Sequence, residues 1–254
     1  MTKQPLFISF SSQKGGVGKS AVTALTASYL HYSMGYNIAV LDCDFPQHSL
    51  AQMRERDMKI VMQSERYKRL AYEQFSTLNK KAYPIITCIA DEALKEAEEL
   101  ISSSTVPYDI ILFDLPGTVN SAGILSTMMR MNYIFTPLIA DRVVLESSLS
   151  FINVVNEMLI KQGKTEIRGL HLFWNLVDGR EKTDLYSVYE KIINELDLSI
   201  MKTFLSDSKR YRKELSETDN RPIFRSTVFP ADKRLAKTTR LDAFVLEFLQ
   251  IIKL

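Results

Sequence analysis

Cysteine is nearly absent: Cys43 and Cys88 are the only two in 254 residues. That is too few for a disulfide scaffold or a cysteine-based zinc site, and it fits a reducing compartment. Glycine (9) and proline (8) are scarce too, which excludes collagen-like and low-complexity chains. Neither charge dominates, since 32 Lys and Arg stand against 30 Asp and Glu for a net +2. Any basic surface must therefore be local. No apolar run approaches the ~20 residues that span a bilayer. Met1–Phe10 carries one lysine and a short apolar run that ends in a polar turn, which is not the pattern of a secretory signal. What is there is 46% hydrophobic residues, enough to bury a full core and to exclude disorder. The expectation is one domain over residues 1–254 in the cytoplasm.

Short apolar runs alternate with helical patterns, so the sequence predicts a doubly wound α/β fold with a mostly parallel sheet. Strands are expected over 6–10, 37–41, 84–88, 110–113, 133–137, 170–174 and 200–205. Several are continuously apolar, as strands buried on both faces should be. Val22, Leu25, Tyr29 and Leu30 recur at helical spacing, and Gly35 follows as a stop. Further helices are expected over 91–104, N-capped by Asp91, and over 144–162 and 184–197. A last helix carries one stripe: Leu241, Phe244, Val245, Phe248, Leu249 and Ile252. Segment 54–69 interleaves Arg54, Arg56, Lys59, Arg66, Lys68 and Arg69 with Glu55, Asp57 and Glu65, the pattern of a salt-bridged helix surface.

The most informative segment is Gln13-Lys14-Gly15-Gly16-Val17-Gly18-Lys19-Ser20, between the first strand and the first helix. That is where a phosphate-binding loop must lie. Glycines let backbone N–H groups turn inward around phosphate oxygens, and a helix N-terminus adds partial positive charge. Residues 14–21, from Lys14 through Gly15, Gly16, Val17, Gly18, Lys19 and Ser20 to Ala21, form the expected nucleotide cradle. Lys19 is placed to reach the β- and γ-phosphates and the Ser20 hydroxyl to ligate Mg²⁺. Two more segments end apolar strands in carboxylates: Asp42-Cys43-Asp44, and Asp114 followed by Leu115-Pro116-Gly117. Anionic groups beside a triphosphate imply an intervening cation or water, and Asp114 occupies the Walker B position.

The standard P-loop pattern has Gly where this chain has Gln13, and this chain adds Lys14. In this the sequence resembles the ParA/MinD family of deviant Walker A ATPases. The resemblance runs from about residue 6 to 250 and is looser after Asn175. It implies an ATP-switched homodimer in which Lys14 crosses to the partner's nucleotide. It also implies that Asp42 and Asp114 hold the Mg²⁺ shell, that Asp44 positions the attacking water and that Asn175 meets the adenine. Family members read D-x-D-P-Q where this chain inserts Phe45 before Pro46 and Gln47. Gly117 would let the loop at 118–123 move with nucleotide state. Asn175-Leu176-Val177-Asp178 resembles the GTPase N-K-x-D signature, but Leu176 replaces the lysine that packs under guanine, which favours ATP.

The late segment holds Lys202, Lys209, Arg210, Arg212 and Lys213, followed by Arg225. In ParA-type partition proteins the corresponding basic region binds nonspecific DNA, a sequence-independent and salt-sensitive contact. An ordinary solvated face is the equal alternative. The resemblance thus implies slow ATP hydrolysis, stimulated by a second protein, that partitions or positions a plasmid or mobile element from a nucleoid-associated site. Assistance to conjugative transfer or cargo positioning is the runner-up. A MinD-like membrane role is disfavoured, because the polar face of the last helix is not basic.

Overall fold

In the computed structural model, residues 4–117, 122–157, 165–180, 184–209, 215 and 222–254 are described. Seven strands form one sheet in the order β3-β2-β4-β1-β5-β6-β7, and every pairing among them is parallel. They are β1 (Leu6–Phe10), β2 (Ile38–Asp42), β3 (Ile85–Thr87), β4 (Ile110–Asp114), β5 (Tyr133–Leu138), β6 (Gly169–Trp174) and β7 (Ser199–Ile200). The helices are α1 (Lys19–Ser28), α2 (Ser49–Gln63), α3 (Glu65–Leu78), α4 (Ala93–Ser103), α5 (Ala122–Met129), α6 (Arg142–Val155), α7 (Leu185–Glu195), α8 (Lys233–Thr238) and α9 (Leu241–Ile252). A single π turn, Tyr29–Ser33, extends α1 before Gly35, whose φ of +83° accommodates the reversal.

Every residue of β2, β4 and β5 is buried, because helices cover both faces. Alternation along the strands divides the core into two layers. One holds Ile8, Phe10, Phe135 and Phe173 against α1 and α9, and the other holds Ile111, Phe113 and Ile134 against α4, α5 and α6. Phe10 lies at the centre of the first, its ring 5.8 Å from Phe135, 6.1 Å from Phe173 and 6.1 Å from Phe248. The apolar stripe of α9 is wholly committed there, with Leu241, Phe244, Val245 and Phe248 fully buried. It is not available as a membrane-binding face, and among the described residues no helix is long and apolar enough to cross a membrane.

The strand order reverses around β1, so the C-terminal end of β1 is the topological switch point, where open α/β sheets bind ligands. Three local expectations are corrected. The expected strand over 200–205 is regular only at Ser199–Ile200; beyond it the chain keeps contact through Met201 N–H to Leu172 O and Leu205 N–H to Trp174 O. The expected helix over 144–162 is seen as α6 as far as Val155, and residues 158–162 of it lie outside the described residues. Asp91 does not cap α4, whose N-cap is Glu92; its carboxylate lies instead where a side chain on Gly123 of α5 would be.

Segment 54–69 is not one solvated helix either. It breaks at Ser64 into α2 and α3, and the ion pairs Lys68–Glu65 and Arg69–Glu73 lie on α3. On α2, Asp57 is buried and accepts bonds from Ser226 Oγ, Thr227 N and Thr227 Oγ1, while Arg54 donates to Thr227 O and Tyr83 O. Buried polar groups persist only when bonded in this way. Because Phe248 fills the core under β1, Phe248→Ala should cost about 4 kcal/mol of unfolding free energy in urea titration. A loss below about 1 kcal/mol would show that the α9 stripe is not core.

Candidate functional site

The chain leaves β1 through Ser11, whose N–H donates to Phe135 O, and winds into α1 through residues 12–18. Gly16 and Gly18 have φ of +79° and +92°, values that strain any residue with a Cβ. Gly18 is required twice over, since a Cβ there would lie 2.6 Å from Asn175 Nδ2. Val17 is buried and anchors the loop, while Gln13, Lys14, Gly15 and Gly16 are exposed. Lys19, Ser20 and Ala21 are half-buried in the first turn of α1. The Lys19 ammonium donates to Ser12 O (3.3 Å) and Lys14 O (3.4 Å), curled over the loop that it would leave for a phosphate. Burial lowers its pKa, and nearby Asp114 and Asp44 pull the other way.

Two contacts hold this loop that the sequence pattern does not announce. Ser147 Oγ of α6 donates to Gln13 Oε1 at 3.0 Å, so the residue replacing the usual first glycine fastens the loop to a helix. Gly117, beyond β4, lies so close that a Cβ would meet Gln13 O at 3.2 Å and Lys19 Nζ at 3.3 Å. Of the nucleotide-sensitive loop expected at 118–123, residues 118–121 lie outside the described residues.

Asp42 and Asp114 are paired in register on adjacent strands, and both are fully buried. Asp42 Oδ2 accepts N–H groups from Leu50 and Ala51, both at 2.9 Å, so it holds the first turn of α2. Its Oδ1 and both oxygens of Asp114 have no hydrogen-bond partner. Burial pushes Asp114 up to about 7, against the pull of the Ser20 hydroxyl, which lies near but outside hydrogen-bond geometry; Asp42 adds to the push and Lys19 opposes it. Asp44 is half-buried, its carboxyl raised by burial and lowered by Lys19. Three orphaned buried carboxylate oxygens beside a phosphate loop are what a hydrated divalent cation would satisfy. Cys43 and Cys88 are buried free thiols 3.5 Å apart, packed in the core.

At the end of β6, Asn175 is 1% exposed, and its Nδ2 donates to Val17 O at 2.8 Å. It braces the P-loop from beneath, and its Oδ1 has no partner. Of the basic residues, Lys202 and Lys209 are exposed and Arg225 is half-buried; Arg210, Arg212 and Lys213 lie outside the described residues.

A phosphate loop at the switch point of a parallel sheet, faced by paired strand-end carboxylates, defines a P-loop nucleoside triphosphatase of the ParA/MinD type. The profile of the MipZ ATPase family matches residues 6–161, and the chain belongs to that family. No curated protein matches the chain. Among solved structures, it is similar to a plasmid partition protein from Borrelia burgdorferi bound to AMPPNP, with 18% identity, TM-score 0.58, and 86% of this chain and 93% of that one covered. It is similar to MinD in a MinC–MinD cell division complex from Aquifex aeolicus, with 16% identity, TM-score 0.52, and coverages of 81% and 82%. It is also similar to a cobyrinic acid a,c-diamide synthase from Mycobacterium smegmatis with ADP and magnesium, with 17% identity, TM-score 0.54, and coverages of 81% and 88%. At these identities the likeness establishes the fold.

The folded-state pKa of Asp114, about 7, lies above its ordinary 3.8, so the folded protein holds this proton more tightly than the unfolded chain. Its stabilising contribution is complete below pH ~4 and is lost as pH rises through 7. Without nucleotide or Mg²⁺, the protein should therefore lose up to roughly 4 kcal/mol between pH 4 and 8 relative to Asp114→Asn. Urea unfolding of both proteins at several pH values checks this, and parallel pH curves would contradict it.

Proposed function

We propose that the chain is a Mg²⁺-dependent ATPase that works as an ATP-switched homodimer, binds nonspecific DNA in the dimeric state, and partitions or positions a plasmid or other mobile element. The observation that carries this reading is the charge arrangement around the loop. Lys19 and the α1 N-terminus face the phosphate position from one side, and Asp44 and the orphaned oxygens of Asp42 and Asp114 face it from the other. Lys14 is exposed at the rim, and the bonds that tie it into the loop are made by its main chain.

In this reading, amides of residues 14–21 and the Lys19 ammonium bind the triphosphate. Ser20, Asp42 and Asp114 hold Mg²⁺, which when bound neutralises charge on the phosphates. Asp44 orients a water for in-line attack, and Lys14 reaches the nucleotide of the second subunit to stabilise transferring charge. Asn175 Oδ1 accepts from the adenine amino group. Guanine is disfavoured because Asp178, which stands where the GTPase signature reads that base, is held by Arg180 at 3.0 Å and 2.7 Å. Exposed Lys202 and Lys209, together with Arg210, Arg212, Lys213 and Arg225, supply the DNA contact. Hydrolysis is slow without a second protein.

Lys19→Ala should lower ATP affinity at least about tenfold by calorimetry; unchanged binding would sink the P-loop assignment. Lys14→Ala should still bind ATP but fail to dimerise with it in light scattering, and ATP-dependent dimerisation at the wild-type level would remove the role in trans. Binding to duplex DNA at low salt, compared with no nucleotide, ADP and a slowly hydrolysed ATP analogue, tests the track. Binding in the ATP state alone, falling steeply with salt, is expected. Indifference to DNA in every state would eliminate the DNA-tethered reading.

A further inference from the structure

We propose that His48 is a positioning residue for hydrolysis, holding the loop that aims Asp44 into the phosphate site; this rests on the ATPase reading above. His48 is the last residue before α2 and has φ +41° and ψ +55°, a left-handed conformation that strains a residue with a Cβ. Such a conformation persists only where the surroundings impose it. Here they do so through both of the residue's N–H groups. Its backbone N–H donates to Asp44 O at 2.9 Å, alongside the Gln47 N–H to the same oxygen at 2.8 Å. Its ring Nδ1 lies 3.1 Å from Asp42 O. A carbonyl only accepts, so Nδ1 carries the proton and donates.

One residue therefore ties the main chain of Asp42 to that of Asp44. The segment between them is a closed loop, and Asp44 is half-buried in it near Lys19, whose charge opposes the rise that burial imposes on the carboxyl. The ring also meets the edge of Phe45, with centroids 5.8 Å apart, so the inserted aromatic limits the imidazole's freedom. His48 Nδ1 is 3.9 Å from Asp42 Oδ1, beyond a hydrogen bond, and no P-loop residue is bonded to the ring. Removing the imidazole should thus loosen Asp44 while leaving phosphate binding intact. A misplacement of about 1 Å at a water-positioning group is enough to slow turnover by one to two orders of magnitude.

The test compares His48→Gly, which keeps the left-handed backbone and deletes the ring, with His48→Asn, which tolerates that backbone and retains a short side-chain donor. Single-turnover ATP hydrolysis, affinity for a fluorescent ATP analogue and the thermal midpoint are measured for both, beside Asp44→Ala. For His48→Gly we expect hydrolysis to fall about tenfold, with affinity within about twofold and the midpoint not lowered. His48→Asn should recover most of the rate. Wild-type hydrolysis by His48→Gly, with Asp44→Ala deficient, would overturn the proposal and leave the ATPase reading standing. A loss of affinity matching the loss of rate would overturn it too, by making His48 a binding residue. Wild-type hydrolysis by Asp44→Ala would instead remove Asp44's role, and this proposal with it.

Discussion

Two carboxylates ending neighbouring strands in register, both buried, constrain this site more than any other feature. Asp42 and Asp114 face each other across the β2–β4 pair, and three of their four oxygens have no hydrogen-bond partner. Like charges in that setting repel each other and lose their hydration, which is why burial carries Asp114 up to about 7. A fold tolerates such a pair where something positive is meant to come between the carboxylates and the facing anion. The Lys19 ammonium is close enough to act on Asp114, and it lies on loop carbonyls. The electrostatics of the site are complete only with its ligands.

The same carboxylate connects the site to the rest of the molecule. Asp42 Oδ2 holds the first turn of α2, and one to two turns later Arg54 and Asp57 grip Thr227 and Ser226. The helix that begins at the nucleotide loop is thus fastened to the late segment through buried, charge-assisted bonds, which are costly to break singly. Whatever moves the 42–48 loop acts on a lever anchored at residues 226–228.

The structures similar to this fold include a plasmid partition protein, a cell division protein and a diamide synthase, so the fold alone does not choose among these roles. In the function proposed above the choice rests on side chains: Lys14 beside the glycines, Asp178 occupied by Arg180, and cations at 202 and 209 on the surface. The apolar stripe of α9 does not join them, because Phe10 and its aromatic neighbours take it into the core.

The sequence by itself determined the alternation of strands and helices, the phosphate loop and the strand-end carboxylates. Each is encoded by neighbours in the chain: continuous apolar runs for strands covered on both faces, and glycine where φ must be positive. Strand β7 was only half legible, because Met201, Phe204 and Leu205 are apolar yet their segment meets β6 through isolated bonds. Asp57 read as surface because charge alternation along a helix says nothing of a distant Thr227 that buries it. Ser147 on Gln13, Gly117 against Lys19 and His48 on Asp42 are likewise invisible to spacing. Only the tertiary structure decided them, since each depends on a loop geometry or on a contact between segments that no local pattern specifies, and it is these contacts that aim the encoded residues.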